Sequence, residues 1–233
     1  MGLFGRREKV EWYDKISVSN VESYNSNSLA LQEIAIRAKD ENVALKAVEV
    51  STDYYALKRI ALGAPNRGVR IAAFQRELKI NQEHPRYKER IELWMYEVAL
   101  ASKDIEIGSL ALGKISDVRF LTYLSYNAEL SNLRFGAWQI LRSTAKEDRD
   151  KLFCEVASWG RDPIVVEDAV SRLGEKDLQH VILFGKSREA RSAAAMRTKD
   201  KGWIKQKAVE MSEGSNDDRE ISGKLALRFI RLD

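Results

Sequence analysis

A short pattern recurs along the chain: an apolar residue, a second apolar residue nine positions later, and an alanine four further on. It is read at Ile34, Val43 and Ala47; Ile60, Val69 and Ala73; Val98, Ile107 and Ala111; Leu124, Leu133 and Ala137; Val156, Val165 and Ala169; and Val181, Ala190 and Ala194. The starting points lie 26, 38, 26, 32 and 25 residues apart. A unit of that length holds two short helices and a turn. One such hairpin cannot bury its apolar face alone, so units must stack on one another.

The residues between the anchors explain the fixed spacing. The sixth residue after the first anchor is Asp40, Asn66, Asp104, Asp162 or Ser187 in all units but the fourth. These are helix N-cap types, whose side-chain oxygens accept hydrogen bonds from the open N–H groups of a first turn. Pro163 follows Asp162, at the first helical position, where a missing N–H costs nothing. Counted from the cap, the second anchor and the alanine fall at N3 and N7, on one face of the second helix. The residue after each alanine, among them Phe74, Leu112 and Trp138, widens that apolar stripe. In the fourth unit Leu130 stands where the cap belongs, which predicts a shifted turn near Asn127 or Ser131.

Composition agrees with a helical stack. Three prolines and 13 glycines are too few for a turn-rich all-β chain, and 44% hydrophobic with 32% charged residues suits a chain with a continuous core. The expectation is a single repeat domain over 28–233 after an N-terminal extension, 1–27, that is partly flexible. Residues 200–233 match the pattern only loosely, with Ala208 and Val209 on one helix and Ile221, Leu225, Leu227 and Ile230 on another. They read as a degenerate closing pair, which in a stacked repeat needs a polar outer face.

The repeat, with Val-Arg-Ile-Ala-Ala at 69–73 after Asn66, resembles the HEAT-like (HEAT/armadillo-type) helical-repeat superfamily over roughly 28–198. The resemblance implies an all-α, right-handed α-α superhelix of about seven helix pairs. It also implies a concave surface lined by second helices, used to bind proteins and in some branches nucleic acid. Fold alone assigns no function.

No catalytic motif is visible: no Gly-rich phosphate loop, no Gly-x-Ser-x-Gly turn, no His-Glu-x-x-His pair. The single Cys154 and the two histidines, His84 and His180, give no metal-ligand spacing, so neither metal nor cofactor is expected. Glu33 with Asp40, and Glu167 with Asp168, are pairs of carboxylates better read as helix-surface charges. Cys154 is expected to be a buried, inert thiol and His180 to sit at the edge of the core. A lone cysteine fits a reducing cytoplasm, and no apolar run reaches the ~20 residues a membrane helix needs. Leu3 and Phe4 beside Arg6, Arg7 and Lys9 offer only a weak membrane contact.

Two basic groups stand out: Lys79, Arg86, Lys88 and Arg90, and a C-terminal group around Trp203. The latter, Arg191, Arg197, Lys199, Lys201, Trp203, Lys205 and Lys207, is the candidate binding surface, because cations beside an aromatic suit phosphate contact with base stacking. Acidic residues elsewhere (Asp40, Glu41, Glu49, Asp162, Glu167, Asp168) make the charge a mosaic, which suits a protein partner better than a duplex. Trp94 and Trp138 fall at core positions, whereas Trp159 lies near a turn and is a second candidate for exposure. Arg70, Arg134 and Arg191, each just after the second anchor, are expected to pair with neighbouring caps. The sequence therefore favours a non-enzymatic scaffold for a protein partner. The alternative is a nucleic-acid binder similar to the HEAT-like DNA-alkylation repair glycosylases, although no Trp-Trp-Asp run of theirs is matched here.

Overall fold

The computed structural model describes residues 11–83, 88–146 and 148–232, side chains at 82 and 88–90 excepted. Their regular structure is entirely helical, with no strand among the described residues. Two 3-10 helices, Trp12–Lys15 and Val18–Tyr24, precede α1 (Ser28–Arg37), α2 (Glu41–Val50), α3 (Tyr54–Gly63), α4 (Arg67–Glu83) and α5 (Lys88–Ala101). Next come α6 (Ile105–Leu112), α7 (Val118–Asn127), α8 (Ser131–Thr144), α9 (Arg149–Trp159) and α10 (Pro163–Val170). The last four are α11 (Glu175–Phe184), α12 (Arg188–Ala195), α13 (Lys201–Ser212) and α14 (Asn216–Arg231). The expected membrane contact at Leu3 and Phe4, with Arg6, Arg7 and Lys9, and the residues His84 and Arg86 lie outside the described residues.

Contacts cluster into two compact units, one ending at Val98 and one beginning at Ala99. In unit 1, α1 packs on α2 and α3 on α4, while α1 also packs on α3 and α2 on α4. The 3-10 helices lean on α1 and α2, with Val21 fully buried. In unit 2 the pairs are α7 with α8, α9 with α10, α11 with α12 and α13 with α14. First helices again meet first helices (α7, α9, α11), and second helices meet second helices (α6, α8, α10, α12, α14).

The anchors are the core. All eighteen anchor and alanine positions of the six pattern sets are 2% exposed or less, and the residue after each alanine is buried as well. Alanine at the seventh helical position removes bulk where the second helix approaches its neighbours, and close approach is what lets short helices bury a continuous stripe. Gly108 marks one such approach: a Cβ there would lie 2.4 Å from Leu133 Cδ1.

The five expected caps form. Asp40 accepts from Asn42 N, Asn66 from Val69 N, Asp104 from Glu106 N, Asp162 from Ile164 N and Ser187 from Ala190 N. First helices carry caps too, from Asn27, Asp53, Asp117 and Asp200. The shifted turn expected in the fourth unit does not occur. Helix α8 starts at Ser131, directly after an extended Leu130 that makes no side-chain cap. Burial of Leu133 and Ala137 holds the register there without the cap, since packing outweighs one capping hydrogen bond.

Two hydrogen-bond devices repeat in phase with the anchors. The Nη1 of Arg70 donates to the carbonyls of Ala64 and Pro65, at 2.8 and 3.0 Å. Arg134 does the same to Ala128 and Glu129, at 2.7 and 3.1 Å, so each arginine ties its helix to the end of the preceding one. Second, Glu129 N donates to Leu100 O at 3.1 Å and Lys186 N to Ser158 O at 2.7 Å. Each donor lies five residues after its own first anchor and each acceptor two residues after an earlier one. One turn is thereby pinned to a preceding first helix in the same way twice.

The closing pair α13 and α14 forms, capped by a reciprocal Ser215–Asp218 box. Its exposed residues are mostly polar, with a few apolar ones among them. Ile221 and Leu225 turn inward, which leaves Leu227 and Ile230 on another side of α14, exposed together with Val209 of α13.

Replacing Ala73 or Ala137 by Leu overpacks these interfaces and is expected to cost about 1–3 kcal/mol. Urea unfolding measures it, and unchanged midpoints for both variants would show that the alanines do not set the helix approach.

Candidate functional site

The C-terminal basic group is engaged within the chain in part. Arg191 is 14% exposed at its side chain, donates through Nε to Ile182 O at 2.8 Å and pairs with Asp218. Lys207 pairs with Glu210, and neighbouring Arg188 with Glu220. The backbone that enters α13 is occupied as well: the Glu175 carboxylate accepts from Thr198 Oγ1, from Lys199 N at 3.0 Å and from Asp200 N at 3.2 Å. A carboxylate of the chain thus fills the N–H cradle that an anion would use. Trp203 is half-buried at the first turn of α13, while Arg197, Lys199, Lys201 and Lys205 are exposed. Of the other basic group, Lys79 is exposed on α4, and the side chains of Arg86, Lys88 and Arg90 lie outside the described residues.

The acidic residues of the second helices are equally committed. Asp162, an N-cap, also sits 3.8 Å from Arg134, which bears out the expected arginine-to-cap pairing for that arginine. Asp168 accepts from Trp138 Nε1 at 2.7 Å, Arg142 Nη1 at 3.1 Å and Arg172 Nη2 at 3.1 Å, joining α8 to α10. Burial by itself would raise the Asp168 pKa, but the Trp138 and arginine hydrogen bonds outweigh it and hold the carboxyl below its usual range. Glu33 pairs with Arg37 at 2.7 Å and Asp40 is a cap, so these carboxylates have structural roles. Trp94 and Trp138 are fully buried, as expected.

Three exposed aromatics lie on the first helices of unit 2, while Trp12, Tyr55 of α3 and Phe135 of α8 are exposed elsewhere. The residues one before and three after each first anchor share an outward face, since they are one turn apart. In α1 and α3 these positions hold Glu33 with Arg37 and Arg59 with Gly63. In α7, α9 and α11 they hold Tyr123 with Asn127, Glu155 with Trp159, and His180 with Phe184. Tyr123, Trp159 and Phe184 are 41%, 51% and 63% exposed. Trp159 stands between two hollows, of about 700 Å³ toward Tyr123 and Tyr126 and about 650 Å³ toward His180 and Phe184.

The groove is held by contacts of its own. Lys186 Nζ lies 5.0 Å from the Trp159 ring centre, within cation–π range. Tyr126 donates to Glu155 at 2.9 Å, and the His180 ring packs on Phe184 at 4.9 Å. His180 is exposed on this face rather than at the core edge, because its helix turns it outward one residue before the buried Val181. Cys154 lines the second hollow half-buried. Burial, reinforced by the Asp177 and Glu155 charges, pushes its pKa up, so the neutral thiol dominates near pH 7 and nucleophilic chemistry is disfavoured. Lys151, Arg161, Lys176 and Lys186 rim the hollows against Glu155 and Asp177, which leaves the groove net positive.

Of these residues, Trp159 was legible in the sequence as an aromatic the repeat does not require. Tyr123 and Phe184 were not, although following the register one before and three after each anchor would have found them. No family model matches the chain, and no curated protein or solved structure matches it either.

Asp168→Ala leaves the Trp138 N–H unpaired in the core, at an expected cost of about 1–3 kcal/mol at pH 7. Because the folded pKa is lowered, this contribution is present above the ordinary carboxylate pKa and is lost as pH falls through the folded one. Denaturant titrations at pH 7 and at pH 3 or below should show the gap to the parent protein narrowing on the acid side. A gap that does not change with pH would show that the Asp168 charge contributes nothing.

Proposed function

We propose that the helix pairs stack as a right-handed HEAT-like solenoid and that this non-enzymatic scaffold holds a protein partner. We place the partner on the first-helix face of α7, α9 and α11, not on the second-helix surface that the repeat resemblance implied. The observation that carries this reading is that the outward register, which holds no aromatic residue in α1 and α3, carries Tyr123, Trp159 and Phe184 in unit 2. Exposed aromatics in a partly enclosed groove are the residue type that dominates protein interfaces. The second-helix polar groups, in contrast, are spent on one another, as at Asp162 and Asp168.

The occupant that fits is an acidic peptide segment carrying an apolar or aromatic side chain. The apolar group would fill a hollow beside Trp159, and its carboxylates would meet Lys151, Arg161, Lys176 and Lys186, which orient the segment and speed its encounter. The nucleic-acid reading has fewer cations to use than the sequence count suggests, since Arg188, Arg191 and Lys207 are already paired. A cytoplasmic setting suits a chain whose only cysteine is a free thiol and in which no described helix is long and apolar enough to cross a membrane.

Selection of displayed random peptides on the purified chain tests this. The expected binders are acidic with an aromatic anchor, and they should lose roughly tenfold or more in affinity for Trp159→Ala and for Lys186→Glu. The double variant Lys199→Glu, Lys205→Glu should bind them like the parent. Peptides without acidic character, or full binding by Trp159→Ala, would refute the placement.

A further inference from the structure

Unit 1 contains a cavity of about 650 Å³ lined by residues of α3, α4 and α5. Most of its polar groups satisfy one another. Lys58 pairs with Glu97, which also accepts from the Tyr54 hydroxyl at 3.5 Å, and Arg76 Nε donates to Ser51 O at 3.3 Å. Glu77 differs from these. It lines the cavity, is 1% exposed, and accepts one hydrogen bond, from Asn81 Nδ2 to Oε1 at 2.8 Å. Its Oε2 has no partner among the described residues. A buried carboxylate oxygen without a partner is costly to keep, and the cost falls when a cation reaches it.

The lining states which cation. Among the described lining residues three carboxylates, Glu77, Glu83 and Glu97, face two cations, Lys58 and Arg76, which favours a single monovalent cation as the occupant. A hard metal ion such as Ca2+ or Mg2+ needs about six oxygen ligands, whereas no cluster of three or more metal-ligating side chains occurs among the described residues. The other walls are mainly apolar or aromatic, with Ile80 half-buried, Tyr55 and Leu93 exposed, and Thr52 a further polar residue of the lining. Burial pushes the Glu77 pKa up against the Asn81 hydrogen bond, so a bound cation would draw the carboxyl toward its ionised form.

We propose that this cavity binds a primary alkylammonium group, its nitrogen donating to Glu77 Oε2 and its methylene stem lying along Tyr55 and Leu93. A free small amine and a lysine side chain of another protein both offer this chemistry. The site is independent of the aromatic groove, so the two can fail separately.

NMR titration of the labelled full chain with n-butylammonium and with Nα-acetyl-lysine methylamide tests it, with n-butanol and potassium chloride as controls. Saturable shifts at unit 1 residues are expected with an ammonium and not with either control. Tighter binding of the lysine amide indicates a lysine side chain as ligand, and equal or tighter binding of butylammonium a free amine. Glu77→Gln should weaken binding roughly tenfold or more, Tyr55→Ala and Leu93→Ser severalfold, and Trp159→Ala not at all. The proposal is overturned if no ammonium saturates, if n-butanol or potassium binds equally well, or if folded Glu77→Gln retains full affinity. Should Glu77→Gln fail to fold, unchanged affinity in both Tyr55→Ala and Leu93→Ser overturns it.

Discussion

Everything in this fold depends on close approach at the alanines of the second helices. Short helices of 8 to 17 residues have little stability of their own and must bury a stripe against neighbours. With Ala47, Ala73, Ala111, Ala137, Ala169 and Ala194 at the contact, the flanking large residues interdigitate and the anchors lose nearly all exposure. Once that distance is set, the turn between helices is fixed in length. The cap, the arginine that ties helix to helix and the turn-to-helix hydrogen bond then recur at fixed offsets from the anchors.

The same periodicity decides what faces outward. If one residue of a first helix is buried, the positions one before and three after it share the opposite side. A chain can change the chemistry of that side without disturbing the core. Unit 1 uses it for the Glu33–Arg37 ion pair, whereas unit 2 uses it for Tyr123, Trp159 and Phe184. A helical stack gains a surface in this way without altering its packing.

The fold was largely legible because its signal is periodic. The anchors, five caps, the structural tryptophans Trp94 and Trp138 and the closing pair could all be read from spacing. The turn at Leu130 is not legible from spacing, because burial of Leu133 and Ala137 outweighs a missing cap. The candidate site was less legible. The lysines and arginines around Trp203 point to 188–207, but sequence cannot show that Asp218, Glu220 and Glu175 come back across the turns to engage part of that region. His180 was misplaced by a single residue of helical phase. Glu77 gave no signal, since an unsatisfied carboxylate is defined by what surrounds it in space.

Fluorine NMR of the chain labelled with 5-fluorotryptophan tests the central claim most directly, because its five tryptophans are spread over core and surface. An acidic peptide with an aromatic anchor and a single-stranded oligonucleotide would be titrated in turn. The account predicts that the peptide shifts the Trp159 resonance and leaves those of Trp94, Trp138 and Trp203 in place. A shift of Trp203 with the oligonucleotide, with Trp159 silent to the peptide, would contradict it.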